Sequence, residues 1–241
     1  MMQNSRYIFD APAELKRLSE MIFVEGGSFL MGEHVFEHLV KLDSFYIGKF
    51  PVTQILWKAV MNDENPSHFT GNNHPVETVS WEDTQIFIKK LSQLTGKEYR
   101  LPTEAQWEYA AKGGIYSQDL TLAYSGSNKL NEVGWFDENS YEETKPVGLK
   151  TSNLLGIHDM SGNVWEWCND WYANILEVKR QSKKDEVTGA IINPKGVKNG
   201  SHHVYRGGSW KSIDMNHSFK VRRYSEPSFN DTGLGFRLAL V

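Results

Sequence analysis

Hydrophobic and polar positions change rhythm along this chain, and the changes mark its elements. From Met21 the string "MIFVEGGSFLMG" alternates apolar and polar residues about Gly26-Gly27, the pattern of a hairpin turning at the glycines. Residues 38–48, "HLVKLDSFYIG", alternate again and predict a strand. In "PVTQILWKAVM", Thr53 stands where it can cap a helix carrying Ile55, Leu56, Ala59 and Val60. Two stronger helix signals follow. Ser80 and Asp83 have capping-box spacing ahead of the stripe Phe87, Leu91 and Leu94, with Gly96 as the stop; Thr103, Gln106 and Gly113 repeat the logic. A short helical lead-in is expected over residues 11–20.

Beyond about residue 115 helical periodicity fades. Glycine, asparagine and tryptophan dominate, and short alternating pieces such as "HVYRGG" and "GLGFRLALV" predict loops braced on a small sheet. Residues 174–201 are the most polar stretch and read as an exposed loop or long hairpin. With no repeat of fixed period and no dividing linker, the organisation expected is a lead-in over 1–21 and one domain over 22–241.

Composition narrows the function classes. A net charge of −4 gives no global basic field, so nucleic acid is not the expected partner. The run "KRQSKKDE" carries its own acids and reads as a solvated loop. Cys168 is the single cysteine, which excludes an intramolecular disulfide and a cysteine-based zinc cluster. No apolar window approaches the ~18 residues of a membrane span and the N-terminus lacks a leader pattern; a soluble, cytoplasmic protein without membrane partners is expected. The 8 tryptophans and 20 glycines suit short segments packed about bulky rings with many tight turns.

Seven strings in order, "GGSFLMG", "FYIGKFPVTQ", "HPVETVSWEDT", "RLPTEAQWEYAAKGG", "TKPVGLKTSNLLGIHDMSGNVWEWCNDWY", "RGGSW" and "GLGFRLA", resemble the sulfatase-modifying factor domain, the family of the formylglycine-generating enzymes. The resemblance covers residues 22–241. It implies an α+β, C-type-lectin-like fold of low regular secondary structure, a fold that hosts oxidases, iron-dependent sulfur chemistry and pure binding proteins, so the site must decide function.

In "DMSGNVWEW", Asp159 and Glu166 flank a Gly162-Asn163 turn. Such a turn can gather two carboxylates and backbone carbonyls on one cation, the oxygen set Ca2+ takes, or the carboxylates can simply accept backbone amides. The resemblance favours the first reading and implies a structural Ca2+ held by the side chains of Asp159 and Glu166 and the carbonyls of Gly162 and Val164. It also implies a second calcium near Asn131, Glu132, Asn139 and Tyr141.

The family's oxidases carry two cysteines, five residues apart, after the turn matching "RGGS". The pair binds Cu(I), a soft ion suited to thiolates, and with O2 oxidises a substrate cysteine to formylglycine. The matching positions here are Ser212 and His217, which cannot replace a thiolate pair; no copper is expected, and Cys168 reads as a small buried hydrophobe. Two further chemistries stand as alternatives: Ser212 and His217 as nucleophile and base, and an iron site using His34 and His38, with His202-His203 as an exposed strand start.

The favoured expectation is non-catalytic recognition of a protein or small-molecule ligand. Its binding residues would be Ser209, Trp210, Lys211, Asp214, Asn216, Phe219, Arg222, Arg223, Tyr224, Phe229 and Asn230, a polar and aromatic set between "RGGSW" and "GLGFRLA". The segment resembles the region diversified in the variable proteins of retroelements. Arg222, Arg223 and Arg237 have an internal reading as well, pairing with acids such as Glu108 or Glu166. The alternative function is an oxidoreductase of the same family with non-copper-thiolate chemistry.

Overall fold

The computed structural model describes residues 15, 16, 18–117 and 121–240. Of the expected lead-in helix, residues 11–14 and 17 lie outside these. Leu15 is buried in the core, and the Ser19 hydroxyl donates to its carbonyl at 2.7 Å, so this end of the lead-in packs on the domain.

Strands β1 (Met21–Val24), β2 (Gly27–Met31), β3 (His38–Leu42) and β4 (Phe45–Gly48) correct the expected hairpin. β1 and β2 do not pair with each other. β2 pairs antiparallel with β3, Gly27 opposite Leu42, and β1 with β4, Val24 opposite Phe45. The chain therefore turns at residues 32–37, and Gly26-Gly27 is a kink within one long, bent arm. Close approach explains the glycine: a Cβ on Gly26 would lie 2.5 Å from the Leu42 carbonyl oxygen.

Helices α1 (Gln54–Val60), α2 (Trp81–Thr95) and α3 (Glu104–Lys112) stand where the apolar spacing puts them. Both predicted capping boxes close, on Ser80 with Asp83 and on Thr103 with Gln106, and Gly96 and Gly113 end their helices left-handed. Thr53 occupies the N-cap of α1 without a side-chain bond. Loop carbonyls meet that helix's first amides instead: Gln54 N–H donates to His74 O at 2.9 Å and Ile55 N–H to Asn72 O at 3.0 Å.

The second half adds the short α4 (Leu130–Val133), β5 (Trp165–Trp171), α5 (Ile175–Gln181), β6 (Ile191–Ile192), β7 (His203–Arg206), β8 (Arg222–Ser225), β9 (Leu234–Phe236) and β10 (Ala239–Leu240). Three sheets result, in the orders β1-β4-β10, β2-β3-β6 and β8-β7-β5-β9. Residues 174–201 are more ordered than an exposed loop: they hold α5, and β6 joins β3 in parallel with Ala190 and Ile191 buried. The final string, expected as one alternating piece, divides between two sheets. β9 pairs parallel with β5 and β10 pairs with β4, so Arg237 lies at the crossing, fully buried.

Two apolar clusters fill the spaces between layers. One joins α1 and α2 to the β5–β9 edge, with Trp57 stacked on Phe87 at 5.0 Å and both against Phe236. The other lies under α3 and holds Phe45, Ile47, Trp107, Tyr109 and Cys168, the last fully buried as expected. His203 is a correction: it is 1% exposed, stacked between Trp81 and Trp171 at 3.8 and 3.7 Å, because the rings on either side cover both its faces.

Candidate functional site

The turn after β7 is built by Gly207 and Gly208, both left-handed. At Gly208 the missing side chain has a further use: a Cβ there would lie 2.4 Å from the ring of His217, which packs into the space. His217 is fully buried, with Nε2 3.1 Å from Ser209 O and Nδ1 3.0 Å from Ile213 O; burial lowers its pKa. Ser212 Oγ lies 2.9 Å from Ser209 Oγ. The two residues at the cysteine-matching positions therefore bond to other groups, and neither is the other's partner. A nucleophile–base pair requires that contact, and this geometry does not supply it.

A groove of about 450 Å³ lies beside this turn, lined by His68, Phe69, Asp137, Ser140, Glu142, Trp210, Lys211 and Thr232. Trp210 is held at its wall: its indole N–H donates to Thr232 O at 2.9 Å and its ring meets Phe69 edge-on at 5.2 Å. The Lys211 ammonium reaches Asp231 at 2.8 Å. Ser140 is 1% exposed and its hydroxyl has no partner among the described residues. The next two residues, Tyr141 and Glu142, are both left-handed, at φ of 55° and 60°, a strained conformation for non-glycine residues.

The structure sorts the predicted binding residues into four groups. Trp210 and Lys211 line the groove. Arg223, Tyr224, Phe229 and Asn230 are exposed nearby, with Arg223 donating to Asn216 Oδ1 at 2.8 Å and Tyr224 stacked on Tyr172 at 3.8 Å; Asp214 accepts from the Tyr124 hydroxyl. Ser209 and Phe219 are corrections, because both are buried and present nothing to a ligand at this face. Arg222 has the internal role: it donates two bonds to the Glu104 carboxylate, at 2.8 and 2.6 Å. The groove residues that the C-terminal reading missed, His68, Phe69, Asp137, Ser140 and Glu142, come from "NPSHFTGNN" and "WFDENSYEE", whose aromatic and acidic content is the only local signal they give.

At the expected calcium loop, Glu166 accepts from Arg237 through both carboxylate oxygens, at 2.6 Å each, and from the Trp107 indole at 2.6 Å. A carboxylate has about four acceptor positions, so one is left. Asp159 is left-handed and buried; Gly148 N–H donates to its Oδ2 at 2.7 Å, while its Oδ1 is enclosed without a partner and burial pushes its pKa up to about 6. No described residue donates to the carbonyl oxygens of Gly162 or Val164. Enclosed, unpartnered oxygens of this kind fit a hard cation.

The second calcium set does not assemble in the same way. Lys150 places its ammonium 2.6 Å from the Asn131 carbonyl and 4.1 Å from the Trp135 ring, Glu132 accepts from Ser127 at 2.7 Å, and Asn139 bonds the Phe136 amide and the Gly134 carbonyl. Tyr141 is 84% exposed. A lysine ammonium stands among the set and takes the Asn131 carbonyl. Among the described residues no cluster of three or more His, Cys, Asp or Glu is placed to hold a metal, so His34 and His38 gain no further ligand; His38 Nδ1 faces Phe36 O at 2.9 Å.

The model of the sulfatase-modifying factor enzyme 1-like domain matches residues 9–241. The chain belongs to that family. Among its relatives are the chaperone protein LppX of Paenibacillus barcinonensis, 38% identical over 206 residues, and the formylglycine-generating enzyme of Streptomyces coelicolor, 34% identical over 187 residues; the matches cover 64% and 72% of this chain. They span 72% and 55% of those relatives' own lengths. Among solved structures, Treponema denticola variable protein 1 superposes with a TM-score of 0.80 at 30% identity, covering 91% of this chain and 94% of that one. The α+β fold of the sulfatase-modifying factor family is thereby established.

Proposed function

We propose that this member of the sulfatase-modifying factor family is a recognition module without catalysis, binding a protein or small ligand through the groove at Trp210 and Lys211. The observation that carries the reading is the state of Ser212 and His217. They stand where the family's copper-binding cysteines would stand, and each is tied into the loop by internal hydrogen bonds. A chain with one cysteine, itself fully buried, cannot supply two thiolates to Cu(I). The similarity to a protein named as variable supports a surface that changes while its scaffold is kept.

The groove has the composition of a recognition surface. Phe69 and Trp210 supply rigid area at low entropic cost, and Asp137, Glu142 and Lys211 supply charge that selects among ligands. A calcium ion on Asp159, Glu166 and the carbonyls of Gly162 and Val164 would brace the loop entering β5, without contacting the ligand.

Selection from a displayed random-peptide library tests the reading. Peptides enriched on the protein are expected to lose about tenfold or more in affinity to W210A, since truncating a central aromatic anchor commonly costs that much. Equal binding to W210A would move recognition away from the groove.

A further inference from the structure

A second cavity, of about 70 Å³, shares no lining residue with the groove. Its apolar walls are Met31, Phe36, Trp171, Ile175, Val178 and Pro194, the last four from the end of β5 and the segment that follows it. Most of its remaining lining is titratable, and the charges are unequally served. Arg206 donates to Glu104 at 3.0 Å and also to Glu108, and Arg222 holds Glu104 with two bonds. Glu108 also accepts from the Gly32 amide at 2.8 Å and has the Lys112 ammonium at 3.9 Å. Lys220 has Glu37 at 3.9 Å. Burial keeps His38 below its ordinary pKa.

Asp170 is the exception. It is 4% exposed, lines the cavity, and accepts one bond, from the Glu104 amide to Oδ2 at 3.0 Å. Among the described residues no Lys, Arg or His stands within ion-pair distance and none donates to Oδ1; the Arg222 and Arg100 charges act on the carboxylate only from farther away. Burial and the neighbouring Glu104 charge push its pKa up to about 7. A buried carboxylate with an open oxygen beside an apolar, aromatic-walled space is unfavourable alone and favourable with a cation upon it.

We propose that this cavity binds a small alkylammonium group, its nitrogen on Asp170 and its carbon chain against Trp171, Ile175 and Val178. Ammonium chemistry matches the site in two ways: it satisfies the open carboxylate oxygen, and aromatic faces tolerate a cation. Size agrees as well. A water needs ~10–15 Å³ of such space, so the cavity takes a chain of about four or five carbon atoms and no large ring. The same chemistry is offered by a free amine or by a lysine side chain of a partner.

Calorimetric titration of the full chain at pH 7.5 with n-butylammonium, n-butanol and butyrate tests the assignment, with Nα-acetyl-lysine N-methylamide to separate the two sources. Butylammonium is expected to bind, butanol about tenfold or more weakly, and butyrate not at all. Tighter binding of the lysine amide than of butylammonium assigns the ligand to a protein side chain; the reverse assigns it to a free amine. The variant D170N keeps the acceptor for the Glu104 amide, and its thermal melt verifies that it folds; it is expected to lose about tenfold or more in butylammonium affinity. Butanol binding as well as the ammonium, unchanged affinity in folded D170N, or no heat from any amine would each overturn the proposal. The groove reading stands or falls separately, because W210A does not touch this cavity.

Discussion

The two ends of strand β5 each hold a buried carboxylate, and their surroundings differ. Glu166, at the start, meets the Arg237 guanidinium with two bonds and the Trp107 indole with a third. Asp170, near the end, has one backbone amide and no cation within ion-pair distance among the described residues, the Arg222 and Arg100 charges acting on it only from farther away. The first arrangement joins elements: Arg237 also donates to Gly48 O and His158 O at 2.9 Å each, tying the crossing of two sheets to the loop that enters β5. The second leaves an open oxygen at a cavity. A buried charge paired with a cation holds the fold together, and a buried group left without a partner is where something else can bind. The groove follows the same rule, since Ser212 and His217 are complete and the unpartnered hydroxyl belongs to Ser140.

Breaking the cation-paired end should have the largest effect. R237M leaves Glu166 charged and buried beside Trp107, and is expected to lose ~3–5 kcal/mol in denaturant unfolding. A loss below ~1 kcal/mol would show that the pair does not hold the sheets together.

Removing calcium comes next. If Asp159, Glu166 and the two carbonyls hold the ion, a chelator should lower the melting temperature by ~5–10 °C, the range for a ligand near a hundredfold above its Kd acting on a domain of this size. D159A should remove that response. An unchanged melt, together with no calcium in elemental analysis, would leave the loop held by Arg237 alone.

The smallest effect is expected at the open end, and its sign is opposite. The folded pKa of Asp170 is raised from 3.8 to about 7, so its contribution to stability is complete below pH 3.8 and is lost as pH rises through 7. D170N, a neutral isostere, should therefore melt like the parent near pH 3.5 and higher by a few degrees at pH 8. A lower melt at pH 8 would mean that Asp170 has a cation partner and that the contrast along β5 is false.

Much of this was legible in the chain. Both capping boxes, the stops at Gly96 and Gly113 and the burial of Cys168 follow from local chemistry, and local chemistry was enough. The hairpin was misplaced because alternation and a Gly-Gly pair look alike whether the chain turns or merely kinks; only the pairing of β1 with β4 and of β2 with β3 decides it. Residues 174–201 looked like a solvated loop because β6 is two residues long and relies on β3 for its pairing. At the site, Ser209 and Phe219 read as surface since nothing in "RGGSW" or "HSFKV" announces what covers them. The groove's other wall was invisible for a related reason: His68, Phe69 and Asp137 are brought to Trp210 by tertiary packing, from strings without a motif. Asp170 gave no signal, because the lack of a partner is a property of three-dimensional neighbours.

The central claim, that the scaffold is kept and the copper chemistry is absent, has one direct test. The purified chain is incubated with Cu(I), O2 and a Cys-X-Pro-X-Arg peptide, and both bound copper and peptide mass are measured. The account predicts substoichiometric copper and an unchanged cysteine; one copper per chain together with formylglycine in the peptide would contradict it.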